Sequence, residues 1–220
     1  MTVLFVLATF LLFALIDWAL SRGKVPATAA VPAAEPITTG PDFVYGFHLP
    51  ANLRYHAGHG WALRERKNVI RIGIDDFAAR LAGKIENLEL PKPGQWIRQG
   101  DRAWKLFRNG EASEMVSPIE GEVLEVNPDV LKNPALLRTD PYGAGWLMTV
   151  HVPDEEATTR NFIPRNLIRN WMESVAEKLY SFQDPEMAPA YAADPGTPVE
   201  DIAAAIPAKP WKELTAEFFL

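Results

Sequence analysis

WKLFRNGEASEMVSPIEGEVLEVN, residues 104–127, is the stretch on which the fold turns. Two runs of strand-forming residues flank Asn109-Gly110. Both turn positions tolerate positive φ, which makes this pair the strongest hairpin signal in the chain. A third run, SPIEGEVLEVN at 117–127, continues the β pattern. The stretch predicts a β core with an exposed hairpin tip.

Other segments arrange themselves around that core. VIRIGI (69–74) alternates with bulky residues, as a strand does. Asp75-Asp76 then opens a short helix over 77–82, where an aspartate caps free N–H groups and its charge suits the helix dipole; Gly83 stops it. Pro91-Lys92-Pro93-Gly94 is a turn, and residues 146–152 form another strand. Pro164 opens a longer helix at a position that needs no N–H. Its residues Leu167, Ile168, Trp171, Val175 and Leu179 follow a helical period and cover the β core, or else offer a partner face.

Composition narrows the function. The chain has 220 residues and net charge −6, with no basic block of the kind that follows nucleic acid. It has no cysteine, which excludes disulfides, Cys-ligated zinc, iron–sulfur clusters and thiol catalysis. Its 19 prolines concentrate in two zones and mark linkers.

Residues 1–20, MTVLFVLATFLLFALIDWAL, are long enough and apolar enough to cross a bilayer, with Asp17 and Trp18 near one interface. Arg22 and Lys24 follow the run and no basic residue precedes it. The positive-inside rule then places the N-terminus in the periplasm and the bulk of the chain in the cytoplasm, as a single-pass protein of the inner membrane. A cleaved signal peptide is the competing reading, but the basic n-region is missing. The expected organisation is a membrane anchor (1–21), a Pro/Ala-rich linker (22–42), a compact β domain (43–182) and a Pro-rich tail (183–220). Within the tail, Thr197-Pro198-Val199-Glu200 has the capping-box spacing for a short helix ending at Ile206. WKELTAEFFL (211–220) puts Trp211, Leu214 and Phe218 on one helical face with Phe219 beside it. So apolar an end either folds back on its own domain or docks in a neighbour.

The 43–182 domain resembles the H-protein of the glycine cleavage system. The residues that carry the likeness are His59-Gly60-Trp61, Ile72-Gly73-Ile74-Asp75-Asp76-Phe77-Ala78, the LELPKPG string at 88–94, Ser117-Pro118-Ile119-Glu120-Gly121-Glu122-Val123, NPALL at 133–137 and DPYGAGW at 140–146. The resemblance implies a mainly β fold, a flattened lipoyl/biotinyl-type β-barrel or sandwich with short helices and a C-terminal helix. It also implies a lipoyl lysine at a hairpin tip, three residues before a small polar residue. Counting back from Ser113 lands on Gly110, which has no amine to form the lipoyl amide. The nearest amine is Lys105, within a predicted strand and not at the tip.

Other chemistry is thin. His56 and His59 form an H-x-x-H pair without a third ligand, in a glycine-containing loop. Asp75-Asp76 and Glu155-Glu156 read as solvated or capping carboxylates, and no nucleophile elbow, P-loop or dinucleotide fingerprint occurs. Trp61, Trp96, Trp104, Trp146 and Trp171 read as core or interface anchors. No catalytic residue, metal or cofactor is expected. The leading expectation is a non-catalytic, membrane-anchored scaffold subunit of a larger bacterial complex, photosynthetic or respiratory. It would meet integral membrane subunits through Phe107, Arg108, Trp211, Leu214, Phe218 and Phe219, and lipid through residues 1–20. The alternatives are a lipoate-linked carrier of a glycine-cleavage-type system, or a membrane module that recruits lipoyl-related proteins.

Overall fold

The structure is a computed structural model that describes residues 43–182, 199–207 and 209–220. The strands are β1 (Phe43–Val44), β2 (Phe47–His48), β3 (Arg54–Tyr55), β4 (Gly60–Arg66), β5 (Val69–Ile74), β6 (Asn87–Glu89), β7 (Trp96–Ile97), β8 (Arg102–Arg108), β9 (Glu111–Val116), β10 (Gly121–Val126) and β11 (Met148–His151). The helices are α1 (Asp76–Ala82), α2 (Pro128–Lys132), α3 (Leu136–Thr139), α4 (Glu155–Thr159), α5 (Ile168–Tyr180) and α6 (Trp211–Phe219). Six strands pair in the order β3-β4-β5-β11-β10-β7, and three pair as β6-β8-β9; β1 and β2 form a separate ribbon. The fold is thus mainly β with short helices and a C-terminal helix, as the sequence predicts.

Residues of both larger sheets join one hydrophobic cluster, with Trp61, Ile72, Phe77, Leu106, Met115 and Val150 among its buried members. Trp61 depends on Gly73 directly opposite in the β4–β5 register. A Cβ on Gly73 would lie 2.6 Å from the indole ring, so the bare backbone is what admits it. The indole Nε1 donates to the Pro141 carbonyl at 3.1 Å, tying the DPYGAGW loop to the sheet.

Asp75 caps α1 through its bond from Ala78 N, and Gly83 ends the helix at φ 70°. The late helix begins differently from the sequence expectation. Residues Arg165–Leu167 form a 3₁₀ turn, and the α-helix starts at Ile168. Leu167, inside that turn, is exposed, while the other expected residues face the core: Val175 and Leu179 are buried and Ile168 and Trp171 pack against it partly buried, joined by Met172 and Ala176. In the tail, the expected helix ending at Ile206 is only a 3₁₀ turn, Ala203–Ala205, among the described residues.

The expected anchor at 1–21 and linker at 22–42 lie outside the described residues. Among the described residues no helix is long and apolar enough to cross a membrane, so the expected transmembrane helix gains no support from the structure.

Candidate functional site

Strands β8 and β9 form the hairpin that the sequence predicts, with Arg108 opposite Glu111. Asn109 (φ 50°) and Gly110 (φ 77°) make the turn, both in the left-handed region. A Cβ built on Gly110 meets nothing within 4 Å, so the tip projects into open space. Glu86 reaches the turn from the β6 side and accepts from Asn109 N at 3.2 Å.

The hairpin has two faces, because side chains alternate along a strand. Lys105 stands mid-strand on the open face. Its neighbours in register are Glu89 on β6 and Glu114 on β9. Its Nζ lies 3.3 Å from Glu89, and Arg102 pairs with Glu114 at 2.6 Å. A shallow cavity of about 210 Å³ lies here, lined by these four charged residues with Leu90 and Gln95 among others. Phe107 is half-buried on β8, and its carbonyl accepts from Glu86 N at 2.8 Å.

The other face is closed by the C-terminal segment of the chain. Leu106, Ser113 and Met115 point inward, and α6 packs on β9 and α1. Ser113 Oγ donates to Thr215 Oγ1 at 2.7 Å, with both residues buried. Leu214, Phe218 and Phe219 are buried in the common core; Phe218 meets Phe77 edge-on at 5.1 Å. Trp211, partly buried, donates from Nε1 to the Ala82 carbonyl at 3.1 Å. Two residues before the tip, Arg108 holds Asp201 through two bonds of 2.8 Å and reaches the Ala82 carbonyl at 3.0 Å. At the far end Glu217 pairs with Lys178 at 3.1 Å and Lys209 at 3.2 Å. Those two lysines hold the exposed Glu217 carboxyl below its ordinary value, Lys178 first.

The structure therefore seats Trp211, Leu214, Phe218 and Phe219 against the chain's own domain and ties Arg108 to the same segment. Asp201, Thr215 and Glu217 belong to this arrangement without any sequence signal, since each is a common polar residue whose partner is distant in the chain.

His59 and Asp75 form a buried pair, Nδ1 to Oδ2 at 2.8 Å, and the Asp75 N–H donates to the His59 carbonyl at 3.0 Å. The His59 ring stacks on Phe77 at 4.4 Å and leans on Trp171. His56 does not join this pair; its Nδ1 accepts from Gly58 N at 3.1 Å. Burial, then the neighbouring His59, lowers the His56 pKa. Tyr142 links the same region, accepting from Asp76 N at 2.9 Å and donating to the His48 carbonyl; burial raises its phenol pKa well above the ordinary value. Among the described residues no three acidic or histidine side chains converge as a metal site. Of the tryptophans, Trp61 and Trp104 are core, while Trp96 is 48 % exposed.

The sequence profile described as "Glycine cleavage H-protein" matches residues 53–174, which include the whole hairpin. A "Glycine cleavage system H protein" of Mycobacterium leprae is 37% identical over 106 residues, covering 48% of this chain and 80% of its own length. One from Laribacter hongkongensis is 42% identical over 99 residues, covering 45% of this chain and 78% of its own. The crystal structure of a glycine cleavage system H protein from Mycobacterium marinum aligns at 29% identity and a TM-score of 0.44, over 48% of this chain and 87% of that one. The profile match and the two sequence relatives overturn the expectation of a membrane-anchored scaffold subunit in a photosynthetic or respiratory complex. That expectation weighed the glycine at the turn and the apolar N-terminus above the domain itself, and the domain's likeness runs well beyond those two features. With more than half of the sequence inside the profile, the chain belongs to the glycine cleavage H-protein family.

Proposed function

We propose that this chain serves a glycine-cleavage-type system as a non-catalytic, lipoate-linked H-type domain. The observation that carries the reading is the family match across 53–174, hairpin included. The chemistry of loading is specific. A lipoyl amide requires a primary amine, and Gly110 stands where the resemblance puts the lipoyl lysine. Lys105 is the lysine of the hairpin, and loading there makes the chain a carrier with a displaced attachment point.

A second reading follows from where Lys105 lies. It is flanked on both neighbouring strands by glutamates and does not protrude as a turn tip does. An unloaded hairpin makes the chain a module that recruits lipoyl-handling proteins and leaves the arm to them. Residues 1–20 would hold such a module at a membrane, which fractionation of the tagged full-length chain tests.

Co-expression with a lipoate-attaching enzyme, followed by intact mass and peptide mapping, separates the two readings. A lipoyl group on Lys105 that supports glycine turnover in a reconstituted system establishes the carrier. An unmodified chain that binds a lipoylated H protein or its partner enzymes establishes the module. An unmodified chain that binds none of them sinks both.

A further inference from the structure

The C-terminal segment, residues 199–220, lies beyond the stretch that matches the family, yet it covers the inner face of the hairpin on which the family's chemistry is centred. We propose that this segment is a strap: a built-in ligand of the groove between the β8–β9 hairpin and α1, which opens as a unit and must be displaced by any partner that uses the groove. This inference does not depend on whether the hairpin carries an arm.

The contacts have the character of a docked amphipathic peptide. An acidic residue, Asp201, meets a cation at one end of the groove, and Arg108 answers it with a two-pronged guanidinium contact. An apolar patch of Leu214, Phe218 and Phe219 fills the middle, and a hydroxyl pair, Ser113 and Thr215, sets the register. At the far end Glu217 pairs across to Lys178 of α5 and, within the strap itself, with Lys209.

A nine-residue helix such as α6 is too short to persist alone in water, so it is helical because it is docked. Five large buried side chains, Ile202, Ile206, Leu214, Phe218 and Phe219, with Trp211 partly buried, are set against the ordering of about twenty residues. The strap is therefore held less firmly than the strands beneath it and is the part that opens first. The partner that fits the vacated groove is an amphipathic helix with a carboxylate for Arg108 and an aromatic pair to meet Phe77.

Hydrogen–deuterium exchange of the full-length chain tests the strap. The expected result is faster exchange at 211–219 than in β5 or β11. Asp201→Asn then raises exchange at 211–219 and 106–115 by about tenfold, while β4, β5 and β11 are unchanged. Glu217→Gln, at the opposite end, is the second variant and gives the same pattern more weakly. Because the chain has no cysteine, Ser113→Cys with Thr215→Cys can lock the strap by a disulfide at a point where the hydroxyls are 2.7 Å apart. A fluorescent peptide spanning 199–220 should bind the Asp201→Asn chain and be excluded from the locked chain until it is reduced. Two outcomes overturn the proposal. One is exchange at 211–219 that matches β5 in the wild type and both variants, which makes the segment a permanent part of the core. The other is equal peptide binding, or none, in the open and locked forms.

Discussion

Arg108 and Asp201, 93 residues apart, meet in a two-pronged pair with both N···O distances at 2.8 Å. The pair lies two residues from the hairpin tip and is mostly shielded from water on the arginine side. A guanidinium–carboxylate pair in that setting holds geometry as well as energy. It joins the family domain to a segment beyond the family's match.

Asp201→Ala should destabilise the chain by about 1.5–3 kcal/mol, more than an exposed ion pair costs, because Arg108 loses a partly buried partner. A double-mutant cycle with Arg108→Ala should give a coupling of about 1–2 kcal/mol in chemical denaturation. A coupling near zero would show that the pair is only a surface contact.

Gly110→Lys should turn the hairpin into a substrate for a lipoate-attaching enzyme. The tip has open space for the new side chain, and the left-handed φ of 77° costs a non-glycine residue about 1 kcal/mol. Intact mass of the co-expressed variant reads the result. No added lipoyl group on a folded variant would mean that features beyond the tip amine direct loading.

Gly73→Ala should cost at least about 3 kcal/mol, since the new methyl would lie 2.6 Å from the fully buried Trp61 ring and the sheet register leaves it no escape. Thermal unfolding of the variant checks this. Near-wild-type stability would mean that Trp61 can move aside.

Asp75→Ala removes a helix cap and the carboxylate facing buried His59 in one step. The expected loss is about 3 kcal/mol or more, against about 1 kcal/mol for the cap alone. His59→Phe in the same background separates the two. If the double variant recovers nothing, the cost lies in the cap.

Among the described residues, His56 and Glu217 contribute to the acid side of the stability profile. Folding lowers the His56 pKa below 6.5, through burial first and then His59, so the folded chain prefers the neutral ring. Its contribution is complete above that value and is lost as pH falls through 6.5 towards the lowered one. The Glu217 pKa is lowered below 4.5 by Lys178 and Lys209, so its contribution is complete above 4.5 and is lost further into acid. Melting curves between about pH 7.5 and about pH 5 should therefore show a decline that His56→Gln removes and Glu217→Gln leaves in place. A decline unchanged in His56→Gln would assign it to another group.

Much of the domain could be read locally. Asn109-Gly110 announces its turn because both residues accept positive φ, and Asp75 announces α1 because an aspartate before a helix satisfies free N–H groups. The long helix and its core face at Ile168, Trp171, Val175 and Leu179 were legible by their period, and only Leu167 was not. Three residues of 3₁₀ geometry at Arg165–Leu167 turned Leu167 to solvent, and no local pattern signals that tightening. The Trp61–Gly73 fit was not legible, since neither residue implies the other along the chain.

What the sequence determined by itself is the kind of domain and the turn at its hairpin tip. The Asn109-Gly110 hairpin follows from the order of residues alone, as does the apolar face of residues 211–220. Only the tertiary structure decided what that face meets. An amphipathic helix carries the same pattern whether it docks on its own domain or on another protein, because periodicity reports that a face must be covered and not by what. The choice here comes from contacts between residues far apart in the chain. Arg108 with Asp201, Ser113 with Thr215, and Phe77 with Phe218 exist only once the hairpin and α1 have built the groove that holds them.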